Sequence, residues 1–352
     1  MSTTNPKVVH LPLEIAGQAG LICEYLRNEN FKAYSFNYFE SYLQYSNVWQ
    51  TESYELIKVL DKFIDYYDIF HFHNGHTVMT DFSDIDMINK AGKKMIMHHR
   101  GNDVRFKSLA SKGKGYVNPY VKTNNYLSDE EIKDNLELFS ESMDAAIVQD
   151  NELYKYVIDY YRSKGKPVYV LPRLINSKVI KPLYPQITTK KPTIVHAPTD
   201  RAFKGSDIIE ETLEKLKADK ISFDYISIEG KSHKDALKYY RKADIVIDQI
   251  LCGSYGNVSV EAMAMGKPVI CYIRPDLEKM YGDKMPIISA NPDNLYQKLK
   301  ALITEPEERF SLGKKGRAYV EEHHEGSRII KDLIKIYQEV LETNVFPQIK
   351  MP

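Results

Sequence analysis

Short apolar runs alternate with helix-patterned segments along this chain of 352 residues, and the series is interrupted once, by a proline-rich stretch. Before the break come KVVHLPL (7–13), FKAYSF (31–36), DIFHFHN (68–74), KKMIMHH (93–99), DAAIVQD (144–150) and PVYVLPR (167–173), with LICEYLRNEN (21–30) reading as a helix after a Gly17-Gln-Ala-Gly20 turn. After it come TIVHAP, FDYISIEG, DIVIDQI and MPIISA (285–290), separated by the helical patterns 206–220 and 234–243 and followed by NLYQKLKALIT and SRIIKDLIKIYQEVLE. Alternation of this kind predicts parallel strands joined by crossover helices. The break itself, KPLYPQITTKKP (181–192), has three prolines and no periodicity, and reads as a linker. The fold class expected is therefore α/β, with two doubly wound Rossmann-like domains and a cleft between them. The boundaries are 1–180 for the first domain, 193–330 for the second, and 331–352 for a terminal helix that packs back on the first. Ligands in such sheets bind outside the carboxyl ends of the strands.

Composition narrows the function classes. Lys+Arg and Asp+Glu are 48 each, so the basic excess expected of a protein dedicated to nucleic acid is missing. Three cysteines, Cys23, Cys252 and Cys271, follow no zinc or disulfide spacing. The beginning, MSTTNPKVVHLPLEIAG, lacks the pattern of a signal peptide, and no run has the apolar length of a membrane span. A cytoplasmic protein is expected. The basic helix KKGRAYV (314–320) reads either as solvated or as a peripheral membrane contact, and the solvated reading is preferred.

Two stretches carry chemistry. In GSYGNVSVEAMAMGKPVICYI (253–273), Gly253 and Gly256 permit a close backbone approach, and the helix that follows starts with unpaired amides that favour a phosphate. Glu261, one turn in, is placed to accept hydrogen bonds from a ribose diol; the plain alternative is a turn followed by a solvent-facing carboxylate. In HAPTDRAFKGSDIIEE, Arg201 and Lys204 fall on the loop after a strand, where two cations suit a diphosphate. A solvated turn is again the plain alternative. Neither stretch is a Walker A loop or a strict GxGxxG fingerprint.

The pattern HAPTDR..KG followed by ADIVIDQI..G.YG....EAMAMGKPVI resembles the nucleotide-sugar half of retaining GT-B glycosyltransferases, family 4 above all (glycosyl transferases group 1). The likeness extends through AGQAGLICEYLR (16–27), DIFHFHNG (68–75) and GKKMIMHHRGNDVR (92–105), and so covers most of the chain. It implies that Arg201 and Lys204 hold the donor diphosphate and that Glu261 holds the ribose. It also implies that Gly253, Ser254, Tyr255, Gly256, Asn257 and Val258 offer loop or helix-start groups to phosphate and sugar. Gly17 and Gly20 match a glycine-rich loop facing the cleft. One departure is plain: the first Glu of the family's Glu-x7-Glu motif falls at Gly253.

The histidines divide less cleanly. His71 and His73 point to one face of a predicted strand. His98, His99 and Arg100 end another strand at the cleft, where relatives carry a histidine near the donor sugar; His98 and His99 are the catalytic candidates, and His73 and Arg100 substrate-binding ones. Asp103 binds an acceptor hydroxyl or caps a helix starting near Val104. His71, His73 and His76 suggest a metal by residue type alone; without a carboxylate or cysteine at a matching spacing, no metal or cofactor is expected. What the resemblance implies is a retaining, metal-independent glycosyltransferase of hexosyl or N-acetylhexosaminyl type, its second domain binding a nucleotide diphosphate sugar, with UDP as the default, and its first domain the acceptor, a sugar, lipid-linked sugar, small molecule or polymer. A silent nucleotide-sugar binder, an epimerase or phosphorylase of the same architecture, and a regulatory scaffold are the alternatives.

Overall fold

In the computed structural model, residues 5–110, 127–282 and 284–342 are described. The strands are β1 (Lys7–Leu11), β2 (Lys32–Asn37), β3 (Trp49–Gln50), β4 (Ile69–His73), β5 (Lys94–His99), β6 (Ala145–Val148), β7 (Val168–Val170), β8 (Thr193–His196), β9 (Asp224–Ser227), β10 (Ile245–Ile247), β11 (Val269–Cys271) and β12 (Ile288–Ser289). They form a seven-stranded sheet of order β3-β2-β1-β4-β5-β6-β7 and a five-stranded sheet of order β12-β11-β10-β8-β9. Every ladder between these strands is parallel. Residues 181–192 carry neither helix nor strand and connect the two sheets.

The apolar runs form central strands because both faces of a parallel sheet are covered by helices. β4 and β5 are buried at every residue, and the sheet's two faces bury separate apolar clusters. Strand order reverses between β1 and β4 in the first sheet and between β8 and β10 in the second. Chain segments leave each sheet in opposite directions at such a point, and a crevice opens at the strands' carboxyl ends.

The terminal helix Gly326–Glu342 turns its apolar stripe (Ile329, Ile330, Leu333, Ile336, Tyr337 and Val340) onto the first domain, among Val8, Ile22, Leu26, Ile69 and Ile96. Each such aliphatic side chain contributes about 1.5–3 kcal/mol on full burial. The crossing is pinned at its start. Ile175 N donates to the His324 carbonyl at 2.9 Å, Gly326 N donates to the Ile175 carbonyl at 2.9 Å, and Ser177 N donates to Glu325 at 3.0 Å. A side chain at Gly326 would run into the Tyr25 ring.

In the helix Pro306–His323, the KKGRAYV stretch is only partly solvated. Arg317 donates to the carbonyls of Ile180, Ala264 and Ser177 at 2.6, 2.7 and 2.7 Å, so this cation ties the segment just before the linker to the second domain instead of facing a membrane or water. Among the described residues, no helix is long and apolar enough to cross a membrane.

Candidate functional site

The second sheet's reversal brings two loops together. After β8 the chain passes through Ala197–Asp200 into a short helix, Arg201–Lys204, and then turns at Gly205, whose φ of 75° suits glycine. After β10 come Asp248 and Gln249, then the glycine loop and the helix Asn257–Ala264. Lys204 reaches between them: its Nζ donates to Asp248 Oδ1 at 2.6 Å and to Gln249 Oε1 at 2.8 Å. The second Asp248 oxygen accepts from the Gly256 amide at 2.9 Å and from Ser259 Oγ at 2.6 Å. Although burial pushes the Asp248 carboxyl up, Lys204 and these hydrogen bonds hold it below the usual carboxylate range. With two of its three N–H groups engaged, Lys204 lines a cavity of about 210 Å3 beside Asn257, Val258 and Glu261.

Arg201 is elsewhere. Its guanidinium donates to Glu210 at 2.6 Å, to Asp207 at 2.9 Å and to Glu229 at 2.8 Å. These three carboxylates hold its pKa above the usual arginine value. The expected cationic pair therefore divides. A helical turn separates the two side chains by direction, Lys204 inward to Asp248 and Arg201 outward to an acidic surface cluster, and Arg201 does not line the cavity.

The glycine loop also departs from its expected use. Gly256 directs its amide to Asp248; of the helix-start amides that remain, those of Asn257 and Val258 belong to residues that line the cavity. A Cβ at Gly256 would sit 3.1 Å from Asp248 Oδ2 and 3.5 Å from Lys204 Nζ, so glycine is what lets this loop lie against the ion pair. Ser254 and Tyr255 are buried: Ser254 Oγ donates to Asp150 of the first domain at 3.3 Å, and the Tyr255 hydroxyl lies 3.1 Å from His324 Nε2. Gly253 has φ 83°, and a Cβ there would meet Arg274 Cβ at 3.1 Å. A glutamate at 253 would be strained in this backbone, so the departure from the Glu-x7-Glu motif is a property of the loop's conformation.

Glu261 lies at the cleft wall, where its Oε1 is 2.7 Å from His233 Nε2. Burial lowers the imidazole's pKa, but the hydrogen bond and charge of Glu261 outweigh it and the net shift is upward. From the first domain, Tyr45 sets its ring centroid 5.0 Å from that of His233, and the Leu43 carbonyl accepts from His233 N at 2.9 Å. Asn257 Nδ2 reaches the Ala16 carbonyl at 3.4 Å. A second cavity of about 350 Å3 shares Ala16, Tyr45, His233, Asn257 and Glu261 with the first. Lys231, Asp248, Gln249 and His233 are the residues of this region that motif reading passed over. ADIVIDQI ends a buried strand in two polar residues, which was the available signal for Asp248 and Gln249.

The first-domain glycines divide: Gly17 lines the second cavity, as expected of a loop facing the cleft, whereas Gly20 serves packing. Gly17, at φ 74°, begins the helix Gln18–Asn28 beneath the Tyr45 ring. The Gly20 amide donates to Glu14 at 2.7 Å, and a Cβ on Gly20 would meet the Ser46 and Asn47 carbonyls at 2.8 and 2.9 Å. Burial pushes the Glu14 carboxyl up despite these donors.

The histidines form a buried stack. Arg100 Nη2 donates to His73 Nδ1 at 3.3 Å, and an arginine cannot accept, so the hydrogens of the whole chain follow from it. His73 Nε2 then donates to His10 Nδ1 at 2.9 Å, His10 Nε2 to the Tyr337 hydroxyl at 3.2 Å, and that hydroxyl to His71 Nδ1 at 2.7 Å. His71 Nε2 donates in turn to His98 Nδ1 at 3.2 Å, which leaves a hydrogen on His98 Nε2 with no partner among the described residues. Burial lowers the pKa of His10 to about 3 and those of His71, His73 and His98 well below the ordinary value. The rings are neutral.

His98 and His99 differ from the expected catalytic placement. Both are 1% exposed; His98 faces His71, and His99 faces Asp103 at 2.8 Å and Tyr161 at 3.2 Å. Strand alternation sends the two rings to opposite faces of the sheet, into the core on either side. His73 is likewise inside the stack. Asp103 uses one oxygen on the Arg100 and Gly101 amides, at 3.0 and 2.8 Å, and the other on His99. It closes a turn, not a helix from Val104, because the next helix is Lys107–Ala110. It also forms part of the wall of a cavity of about 380 Å3 with Asn74, His76 and Asn135.

As for a metal, the ring nitrogens of His10, His71 and His73 lie within 4.8 Å of one another, with His10 taking the place that residue type had suggested for His76. Those nitrogens already bond to one another, to Tyr337 and to Arg100. A divalent ion would add charge beside a buried guanidinium whose own pKa burial lowers to about 10. The stack does not fit a metal.

Residues 212–335 match a family model described as Glycosyl transferase-like. Sucrose-phosphate synthase from Thermosynechococcus elongatus is similar in structure, at 14% identity and a TM-score of 0.60, over 96% of this chain and 100% of that one. Anabaena Alr3699/HepE in complex with UDP-glucose gives 10% identity and 0.61, over 95% and 100%. WaaG, a glycosyltransferase involved in lipopolysaccharide biosynthesis, gives 12% and 0.59, over 94% and 98%. No curated protein matches the chain by sequence. The fold is the GT-B fold of glycosyltransferases.

Proposed function

We propose that this GT-B protein transfers a sugar from a nucleotide diphosphate sugar, a UDP-sugar, to an acceptor, with retention at the anomeric carbon and without a metal. The observation that carries the reading is Lys204. Its ammonium is held at the mouth of the second sheet's reversal, one N–H short of saturation, in the cavity that Asn257, Val258 and Glu261 also line. The similar Anabaena protein is described in complex with UDP-glucose, which supports the choice of nucleotide.

Departure of a diphosphate concentrates negative charge on its oxygens while the sugar becomes oxocarbenium-like. Lys204 and the amides of Asn257 and Val258 meet that charge from fixed positions, an electrostatic effect whose loss at one donor costs about 2.7–4 kcal/mol in comparable sites. Asp248 and Gln249 aim the ammonium, and Ser259 and Gly256 aim Asp248. Glu261 accepts from the ribose diol. With His98 and His99 enclosed, neither serves as a base at the reacting carbon, which favours a front-face path in which the departing phosphate takes the acceptor proton.

A nucleotide-sugar binder without turnover is the second reading, favoured by the positive φ at Gly253. A panel of UDP, GDP and their sugars in thermal shift and calorimetry, followed by donor turnover with mixed acceptors, decides between them. UDP binding with turnover supports transfer, UDP binding without turnover supports the silent binder, and no nucleotide binding overturns both. Activity abolished by EDTA overturns the metal-independent reading.

A further inference from the structure

We propose that the acceptor, which the resemblance assigns to the first domain, is an uncharged saccharide bound in the largest of the cavities described, about 650 Å3 at that domain's side of the cleft. The inference rests on the glycosyl-transfer reading above and names the substrate class of its second half.

The cavity is built at the ends of β1, β2 and β3 and closed by the segment 38–45. Asn37 makes its floor rigid: Nδ2 donates to the Phe39 carbonyl at 2.7 Å and to Gln50 Oε1 at 2.9 Å, while Oδ1 accepts from Glu14 N at 3.0 Å. Above that floor, Phe39 and Tyr42 hold their rings open to water, at 59% and 48% exposure. Exposed rings of this size next to hydroxyl-binding groups suit the apolar CH face of a sugar. The carboxylate of Glu40 and the amide of Gln44 stand on the same wall and have no side-chain hydrogen bond or ion pair among the described residues. They supply acceptors, and Gln44 a donor, for hydroxyl groups.

Charge selects against the anionic alternatives. None of the described residues that line the cavity is a lysine or arginine, whereas two, Glu14 and Glu40, are acidic. A phosphate or uronate would be desolvated here with no lysine or arginine among the described lining residues to pair it, at a penalty that a neutral sugar does not meet. Position fits the role as well. Tyr42 and Tyr45 line both this cavity and the one that contains Lys204 and Glu261, so an acceptor here abuts the donor across a shared aromatic wall.

The test uses the full chain with UDP present. Saturation-transfer NMR and competition titrations are run with maltose, cellobiose, lactose and chitobiose, and with glucuronate and glucose 6-phosphate. Neutral disaccharides are expected to bind and the anionic sugars not. Tyr42→Ala and Phe39→Ala are each expected to weaken neutral-sugar binding about tenfold, the loss of one stacking contact. Glu40→Arg is expected to reverse the preference and admit glucuronate. Anionic sugars binding as tightly as neutral ones, neutral binding unmoved by all three variants, or no saccharide binding overturns the inference. UDP affinity, measured in the same samples, reports separately. For Phe39→Ala and Glu40→Arg, which lie outside the donor cavity, its retention shows the variant folded; Tyr42→Ala, at a residue shared with that cavity, is checked for folding by its melting transition. Loss of UDP affinity from the unmodified protein counts against the donor reading itself.

Discussion

The two faces of the cleft solve opposite problems with polar groups. On the first domain's side, six buried residues, from Arg100 through His73, His10, Tyr337 and His71 to His98, form one directed chain of hydrogen bonds in which every imidazole is neutral. On the second, charge is kept and paired: Lys204 with Asp248, and His233 with Glu261. Neutral rings in a core define shape and register; a paired ammonium with one free N–H remains available to an incoming anion. In the proposed reading, the charge-stabilising part of the chemistry belongs to the second domain, and the first contributes the wall against which the acceptor lies.

The strongest way to break this contrast is Lys204→Met. Transfer is expected to fall by about 2.7–4 kcal/mol in kcat/KM. Melting is recorded in parallel, because Asp248 loses its partner. Unchanged kcat/KM would remove the second domain's assigned role. Glu261→Gln comes next, expected to weaken nucleotide binding by about 1.5–3 kcal/mol, the worth of a hydrogen bond to a charged group, as read by calorimetry.

Tyr337→Phe probes the neutral face. It leaves His71 Nδ1 and His10 Nε2 without their shared partner, and unfolding free energy is expected to drop by about 1–3 kcal/mol while UDP affinity stays constant. A loss of UDP affinity with stability retained would erase the distinction between the faces. Arg201→Ala is expected to have the smallest effect, under about 1 kcal/mol on transfer and on stability, because its partners lie at a solvated surface.

The charged face has a pH signature. His233 has a raised pKa in the folded protein, so what this pair adds to stability is present below the ordinary value of 6.5 and is lost as pH rises through the elevated one. NMR titration of His233 is expected to show the raised midpoint, and Glu261→Gln to remove it.

Much of the fold was legible in order and type. Runs such as KMIMHH and IFHFH announce buried parallel strands because neither face needs polar residues. Lys204, Asn257, Val258 and Glu261 were legible as a group because their spacing belongs to a loop and a helix start. Arg201 was not separable from Lys204, since the two stand three residues apart and only the direction of one helical turn divides them. His98 and His99 looked like a cleft pair; neighbours in a strand face opposite ways, and tertiary packing covered both. Gly20 read as a ligand loop, yet its amide belongs to Glu14 and its Cα face to the 46–47 backbone.

By itself, the sequence determined the two parallel sheets, the break between them and the loops that end the strands, because apolar periodicity and turn residues act over a few residues at a time. The tertiary structure alone decided which polar group each side chain meets. Asp248 came to aim Lys204, Tyr337 to complete a histidine chain 266 residues away from His71, and Tyr45 to stand between two cavities. Partners that distant are chosen by packing, and no local pattern records them.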